Sequence, residues 1–138
     1  MKRVLITIII LISGCSNTSV TDYPQFEQPR EIMKWVYENI KYDFEKSNLL
    51  EWQSPEKTLS THKGVCIDKS ILMMKLLKDQ FNIESELLII ETDKLFITHA
   101  LVRYNNQTYD PTNNEYIYNA DPVFVLNYQD TMIMSSNN

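Results

Sequence analysis

Glycine, cysteine, histidine and basic charge are all scarce in this sequence, and each scarcity excludes a class of function. The 138 residues include two glycines, Gly14 and Gly64, two cysteines, Cys15 and Cys66, and two histidines, His62 and His99. A dinucleotide fingerprint or a P-loop gathers two or three glycines in a short window so that main-chain N–H groups can close on phosphates. With the glycines fifty positions apart, neither motif can form. Thirteen basic residues against eighteen acidic give a net charge of −5, so no basic field exists to hold a phosphate backbone and no nucleic-acid partner is expected.

What is present is enough for one folded domain. Hydrophobic residues make up 43% of the chain and aromatics 11%, too much apolar content for a disordered polymer. A chain of this length buries roughly two-thirds of its unfolded surface without needing staples.

The first fifteen residues read as an address. Met-Lys-Arg is followed by the almost wholly apolar stretch from Val4 to Ile12 and then by Ser13-Gly14-Cys15. A basic start, a short apolar stretch and small residues make a secretory signal, and the stretch is too short to span a bilayer as a mature helix. Ile12-Ser13-Gly14-Cys15 resembles the lipobox of bacterial lipoproteins. That resemblance implies removal of residues 1–14, acylation of Cys15 and an exported chain anchored to a membrane. Ser16 after the cysteine implies the outer membrane, facing the periplasm, if the cell has two membranes. Each acyl chain contributes about 0.8 kcal/mol per buried CH₂, so two or three anchor a soluble domain stably. The mature chain keeps 11 basic and 18 acidic residues, and with Cys15 lipidated Cys66 is the one remaining thiol. No intramolecular disulfide is then available.

Beyond Cys15 the pattern predicts an α+β domain over residues 29–130, preceded by a polar tether at 15–28 and followed by a disordered tail at 131–138. Pro29 opens a helix with Ile32, Val36 and Ile40 on one stripe. Ser54-Pro55-Glu56 opens a second, short one that stops by Gly64. From Cys66 to Phe81 apolar residues cover most of the circumference, leaving Asp68, Lys75 and Asp79 as a narrow polar edge, which describes a buried central helix. Strands follow at Glu86 to Glu91, Leu95 to Tyr104, Gln107 to Asp110 and Val123 to Tyr128. Asn105-Asn106 sits where a tight hairpin needs positive φ.

Cys66 therefore stands at a helix N-terminus, where about half a positive charge and unpaired N–H groups favour a thiolate and can receive an oxyanion. A two-residue hairpin loop places Asp110 opposite Leu101 and diagonal to His99, about 7 Å away at Cα and within side-chain reach. A three-residue loop would put the pair on opposite faces. The even register makes a triad: Cys66 attacks, His99 takes the proton, and Asp110 fixes the tautomer and steadies the imidazolium. Each residue also has an ordinary alternative, as a core thiol, a strand histidine and a turn aspartate.

Four segments together, Trp52 to Leu59, Gly64-Val65-Cys66-Ile67-Asp68, Thr98-His99-Ala100-Leu101-Val102 and Tyr109-Asp110-Pro111-Thr112, resemble the transglutaminase-like superfamily, including the bacterial transglutaminase-like cysteine proteinases. The resemblance implies a papain-like core, with N-terminal helices and the nucleophile helix packed on a small antiparallel sheet. It assigns Cys66 as nucleophile, His99 as general base and acid, and Asp110 as orienter. Many relatives carry Gly-Asp-Cys-Glu-Asp where this chain has Gly-Val-Cys-Ile-Asp, so only the last acid, Asp68, is kept.

Besides the Cys66 N–H, the oxyanion donors to consider are the Trp52 indole and the Gln53 amide. His62 precedes Cys66 by four residues, a spacing a metal could use, but with one thiol a zinc site would also require His99 and a carboxylate. No metal and no cofactor are expected. The expected partner is a protein or peptide substrate, cleaved at a peptide or side-chain amide bond through a thioester, with amine transfer as the other fate of that thioester. The competing expectation is a binding or assembly module at the cell envelope that keeps the fold without turnover.

Overall fold

The computed structural model describes residues 23–46, 51–92 and 97–137. The signal sequence and Cys15 lie outside them, as do Leu95 and Phe96 of the expected strand.

Helix α1, Pro29–Asn39, begins as the pattern requires. Pro29 takes the first turn, where its missing N–H is not needed, and the Glu31 carboxylate accepts from the Glu27 and Gln28 N–H groups at 3.0 and 3.2 Å. Its Ile32, Val36 and Ile40 stripe is buried, with Met33 added. After the two-residue strand β1, Lys41–Tyr42, helix α2 spans Pro55–Thr61 and is capped by Ser54, whose hydroxyl accepts from the Lys57 N–H at 3.3 Å. Strand β2, Lys63–Gly64, then pairs in parallel with β1 and feeds directly into α3, Cys66–Phe81.

Helix α3 is the centre of the molecule. Ile71, Leu72, Met73, Met74, Leu76 and Leu77 have no exposed surface, each worth about 1.5–3 kcal/mol of burial. Its expected polar edge holds at Lys75 and Asp79, which pair one turn apart at 2.6 Å. At Asp68 the expectation fails, for Asp68, Lys69 and Ser70 are all buried. The helix ends at Asn82, which adopts the left-handed conformation (φ 52°) that closes helices.

A five-stranded antiparallel sheet packs against α3. The strands are β3, Glu86–Thr92, β4, Ile97–Tyr104, β5, Gln107–Asp110, β6, Glu115–Ile117, and β7, Pro122–Asn127, in the order β6-β5-β4-β3-β7. Asn105 and Asn106 both have positive φ, 49° and 60°, as the tight hairpin turn demands. The resulting register pairs Val102 with Tyr109 and Tyr104 with Gln107, so Asp110 falls opposite Leu101. The Tyr104 and Tyr109 rings stack at 4.3 Å on this hairpin. The fold is thus α+β, with helices gathered on a small antiparallel sheet.

Two boundaries are corrected. The tail expected to be disordered from residue 131 belongs to helix α4, Tyr128–Ser136, capped by Asn127, whose side-chain oxygen accepts from the Asp130 N–H at 2.9 Å. Its inward residues are Tyr128, Thr131, Met132 and Ser135, and the two that are fully buried, Thr131 and Ser135, are polar, so no apolar period announced it. The expected strand over Val123 to Tyr128 correspondingly stops at Asn127. At the other end, part of the expected tether docks. The Phe26 N–H donates to Gln80 Oε1 at 2.9 Å, Gln80 Nε2 donates to the Pro24 carbonyl at 3.1 Å, and the Phe26 ring meets Trp35 edge-on. Among the described residues no helix is long and apolar enough to cross a membrane.

Candidate active site

The half-buried Cys66 is the first residue of α3, and the start of that helix is built around Asp68. The Asp68 carboxylate accepts from the Val65 N–H at 3.0 Å, the Gln53 N–H at 2.8 Å, Gln53 Nε2 at 3.2 Å and Lys46 Nζ at 2.9 Å. A fully buried carboxylate needs that many donors to offset its lost hydration. Gly64 is what lets the helix approach so closely: a Cβ there would lie 2.8 Å from Asp68 Cβ, on a side chain already fixed by four bonds. The Ser70 hydroxyl, one turn further along, donates to the Ala100 carbonyl at 3.2 Å and so ties α3 to β4 beside His99.

The hairpin delivers the other two residues. His99 Nε2 lies 2.8 Å from Asp110 Oδ2. Asp110, 2% exposed, also accepts from the Thr112 N–H at 2.8 Å, the Asn113 N–H at 3.2 Å and Asn113 Nδ2 at 2.9 Å. Burial alone would raise its carboxyl, but the bond and charge of His99 and these donors outweigh it and hold the group below the usual carboxylate range. On His99, burial works against the imidazolium, while hydrogen bonds to Asp110 and to the Cys66 side chain, with the charges behind them, push it up to about 10. Because Nε2 faces Asp110, Nδ1 is the ring nitrogen left for Cys66. The structure therefore brings Cys66, His99 and Asp110 into one connected line.

The remaining sequence candidates divide. Gln53 gives both its N–H and its amide to Asp68, and Trp52 packs partly buried against the hydrophobic core. His62 closes α2 in the left-handed conformation (φ 51°), exposed, with its carbonyl accepting from the Lys41 N–H at 2.9 Å. Among the described residues no three His, Cys, Asp or Glu side chains gather as a metal site would require. Tyr42, which the motifs did not single out, lies near the site: burial, with the Cys66 and Asp68 charges, raises its phenol above the ordinary value. Lying 24 positions upstream, it left no spacing signal, and only the β1–β2 pairing brings it in. Lys69 is buried one turn after Cys66, near the Asp110 charge and 5.7 Å from the Tyr37 ring centre.

At the thiol the surface dips into a hollow of about 30 Å³ lined by Val65, by Cys66 and Ile67 from α3 and by Ile89, Thr98, His99 and Ala100 from the sheet. A larger hollow of about 380 Å³ lies between α4 and the start of α2, and neither Cys66 nor His99 lines it. The thiol thus faces a small hollow between the start of α3 and the sheet.

Comparison with known proteins adds three findings. The transglutaminase-like domain family matches residues 17–110. The UPF0252 protein MJ1282 of Methanocaldococcus jannaschii is 41% identical over 54 residues, which cover 33% of this chain and 15% of that protein. A crystal structure of a candidate cysteine protease from Cytophaga hutchinsonii superposes with a TM-score of 0.49 at 17% identity, over 72% of this chain and 43% of that one. The chain therefore spans a small part of the first relative and under half of the second.

Proposed function

The chain belongs to the transglutaminase-like domain family, and from that membership and the site geometry we propose that it is a thiol acyl-transfer enzyme acting on peptide or side-chain amide bonds. The observation that carries this is the line from the Cys66 thiol through the two nitrogens of His99 to Asp110 Oδ2, 2.8 Å from Nε2. The proton shared by Cys66 and His99 rests on His99 Nδ1, and Sγ attacks the carbonyl carbon. The S–C bond forms as the carbonyl pair moves onto oxygen. When that pair returns, the C–N bond breaks and the leaving nitrogen takes the proton from Nδ1. The product is a thioester on Cys66, which water resolves with His99 now acting as base. Asp110 stays ionised throughout and holds the ring in place.

The small hollow at Cys66 suits an extended segment laid across the start of α3. The lipobox-like Ile12-Ser13-Gly14-Cys15 supports export and acylation of Cys15, which would hold the enzyme at a membrane surface. Digestion of a peptide library by the protein, beside Cys66→Ala and His99→Ala, tests the reading by mass spectrometry. New cleavage or deamidation products appear with the wild type alone; equal products from all three would overturn it.

A further inference from the structure

The hollow at Cys66 has room for the reacting group and little more. Its volume of about 30 Å³ would hold one or two water molecules, so a substrate side chain must be received beside it. What lies beside it is set by the register of the sheet. Ile89 lines the hollow, and its partner across the β3–β7 pair is Phe124. Residues opposite each other in an antiparallel pair point to the same face, with Cβ atoms about 4.5–5.5 Å apart, so Phe124 extends the hollow sideways by one strand. The neighbouring pair on that face, Leu87 and Leu126, is packed into the core, but Phe124 stands 50% exposed. Just past it the ladder slips: Ile90 pairs with Pro122, which leaves Val123 as an extra residue and bends β7 at the level of His99. Apart from His99 the lining of the hollow carries no charged side chain, and the charge on this face of β3 is Glu91, two residues past Ile89 and opposite Thr98.

Resting on the acyl-transfer reading, we propose that Ile89 and Phe124 form the specificity subsite of this enzyme, a shelf that takes a large apolar side chain one or two residues from the carbonyl that Cys66 attacks. An extended peptide advances about 3.3 Å per residue, so its first and second side chains on from the reacting carbonyl straddle the step of about 5 Å between Ile89 and Phe124. An aromatic or branched aliphatic side chain laid there takes the open face of Phe124 out of water. A polar side chain gains nothing from the shelf, and an acidic one is repelled by Glu91 at its rim. Phe124 meets the substrate away from the reacting atoms, so its loss changes which substrates are chosen and leaves the reactivity of the thiol as it was.

The test alkylates the thiol of the full chain with two reagents that differ in one side chain, chloroacetyl-phenylalanine amide and chloroacetyl-glycine amide. In each, Sγ displaces chloride, and the rate is read on the Cys66 peptide by mass spectrometry and divided by the rate in urea. The phenylalanine reagent should react about tenfold faster than the glycine reagent with the wild type. Phe124→Ala should remove that preference and leave the glycine rate unchanged, which reports that Cys66 is still correctly placed, while Phe124→Leu should keep most of it. A wild-type preference under about threefold, a preference that survives Phe124→Ala, or one that vanishes only because both rates fall, overturns the proposal. The acyl-transfer reading is tested apart from this by acetylation with p-nitrophenyl acetate. No p-nitrophenolate burst, or a burst that persists in Cys66→Ala, overturns that reading, and the two failures are thereby distinct.

Discussion

Two aspartates flank the thiol, and although both are buried and both accept four hydrogen bonds, they do different work. Asp68, fully buried, draws its donors from Val65, Gln53 and Lys46, and so gathers three separate stretches of chain at the start of α3. Asp110, 2% exposed, spends three bonds on its own turn at Thr112 and Asn113 and the fourth on His99. Equal burial and equal satisfaction therefore do not set apart the carboxylate proposed to be catalytic. The identity of the donors does: loop backbone and a lysine around one, a histidine that also reaches a thiol around the other.

The contrast is broken most forcefully at Asp68. Asp68→Ala leaves Lys46, two backbone N–H groups and the Gln53 amide without their acceptor, and should cost about 3–5 kcal/mol in chemical denaturation. Asp110→Asn should lose less stability, because its turn can still be capped by the amide oxygen, yet lower acyl transfer about a hundredfold, the lower end of what positioned proton transfer supplies. If the two substitutions damage stability and turnover in the same proportion, the division of labour is wrong. Gly64→Ala drives a Cβ to 2.8 Å from Asp68 Cβ and should cost about 1–3 kcal/mol, with Asp68→Ala made first removing much of that penalty.

A third contrast is a pH dependence. His99 titrates at about 10 in the folded protein and near 6.5 when unfolded. Its bound proton therefore supports the fold fully below about 6.5, and that support drains as pH rises from there through about 10. Thermal melts across this window should show a falling melting temperature in the wild type and a flatter profile in His99→Gln. In Asp110→Asn the His99 ring resonances should titrate at clearly lower pH; an unchanged titration would mean that Asp110 does not hold the imidazolium.

Much of this arrangement was legible in the sequence because it depends on local rules. The Asn105-Asn106 turn fixes an even hairpin loop, and the diagonal relation of His99 and Asp110 follows from strand alternation alone. Pro29, Ser54 and Pro55 mark helix starts by chemistry that acts within a few residues. What escaped depends on contacts between distant segments. Asp68 looks like a surface charge until Gly64, Gln53 and Lys46 close around it, and Tyr42 has no motif until β1 pairs with β2. Helix α4 escaped for a related reason, since its buried face is made mostly of Thr131 and Ser135, and a polar stripe carries no apolar period.

The central claim is that His99 and the start of α3 activate Cys66, and alkylation measures this most directly. At pH 6, iodoacetamide should modify Cys66 in the native protein faster than the same residue in urea, and His99→Ala should abolish the difference. If native Cys66 reacts no faster than the unfolded thiol, or if His99→Ala reacts as fast as the wild type, the site is not an activated nucleophile and the account fails.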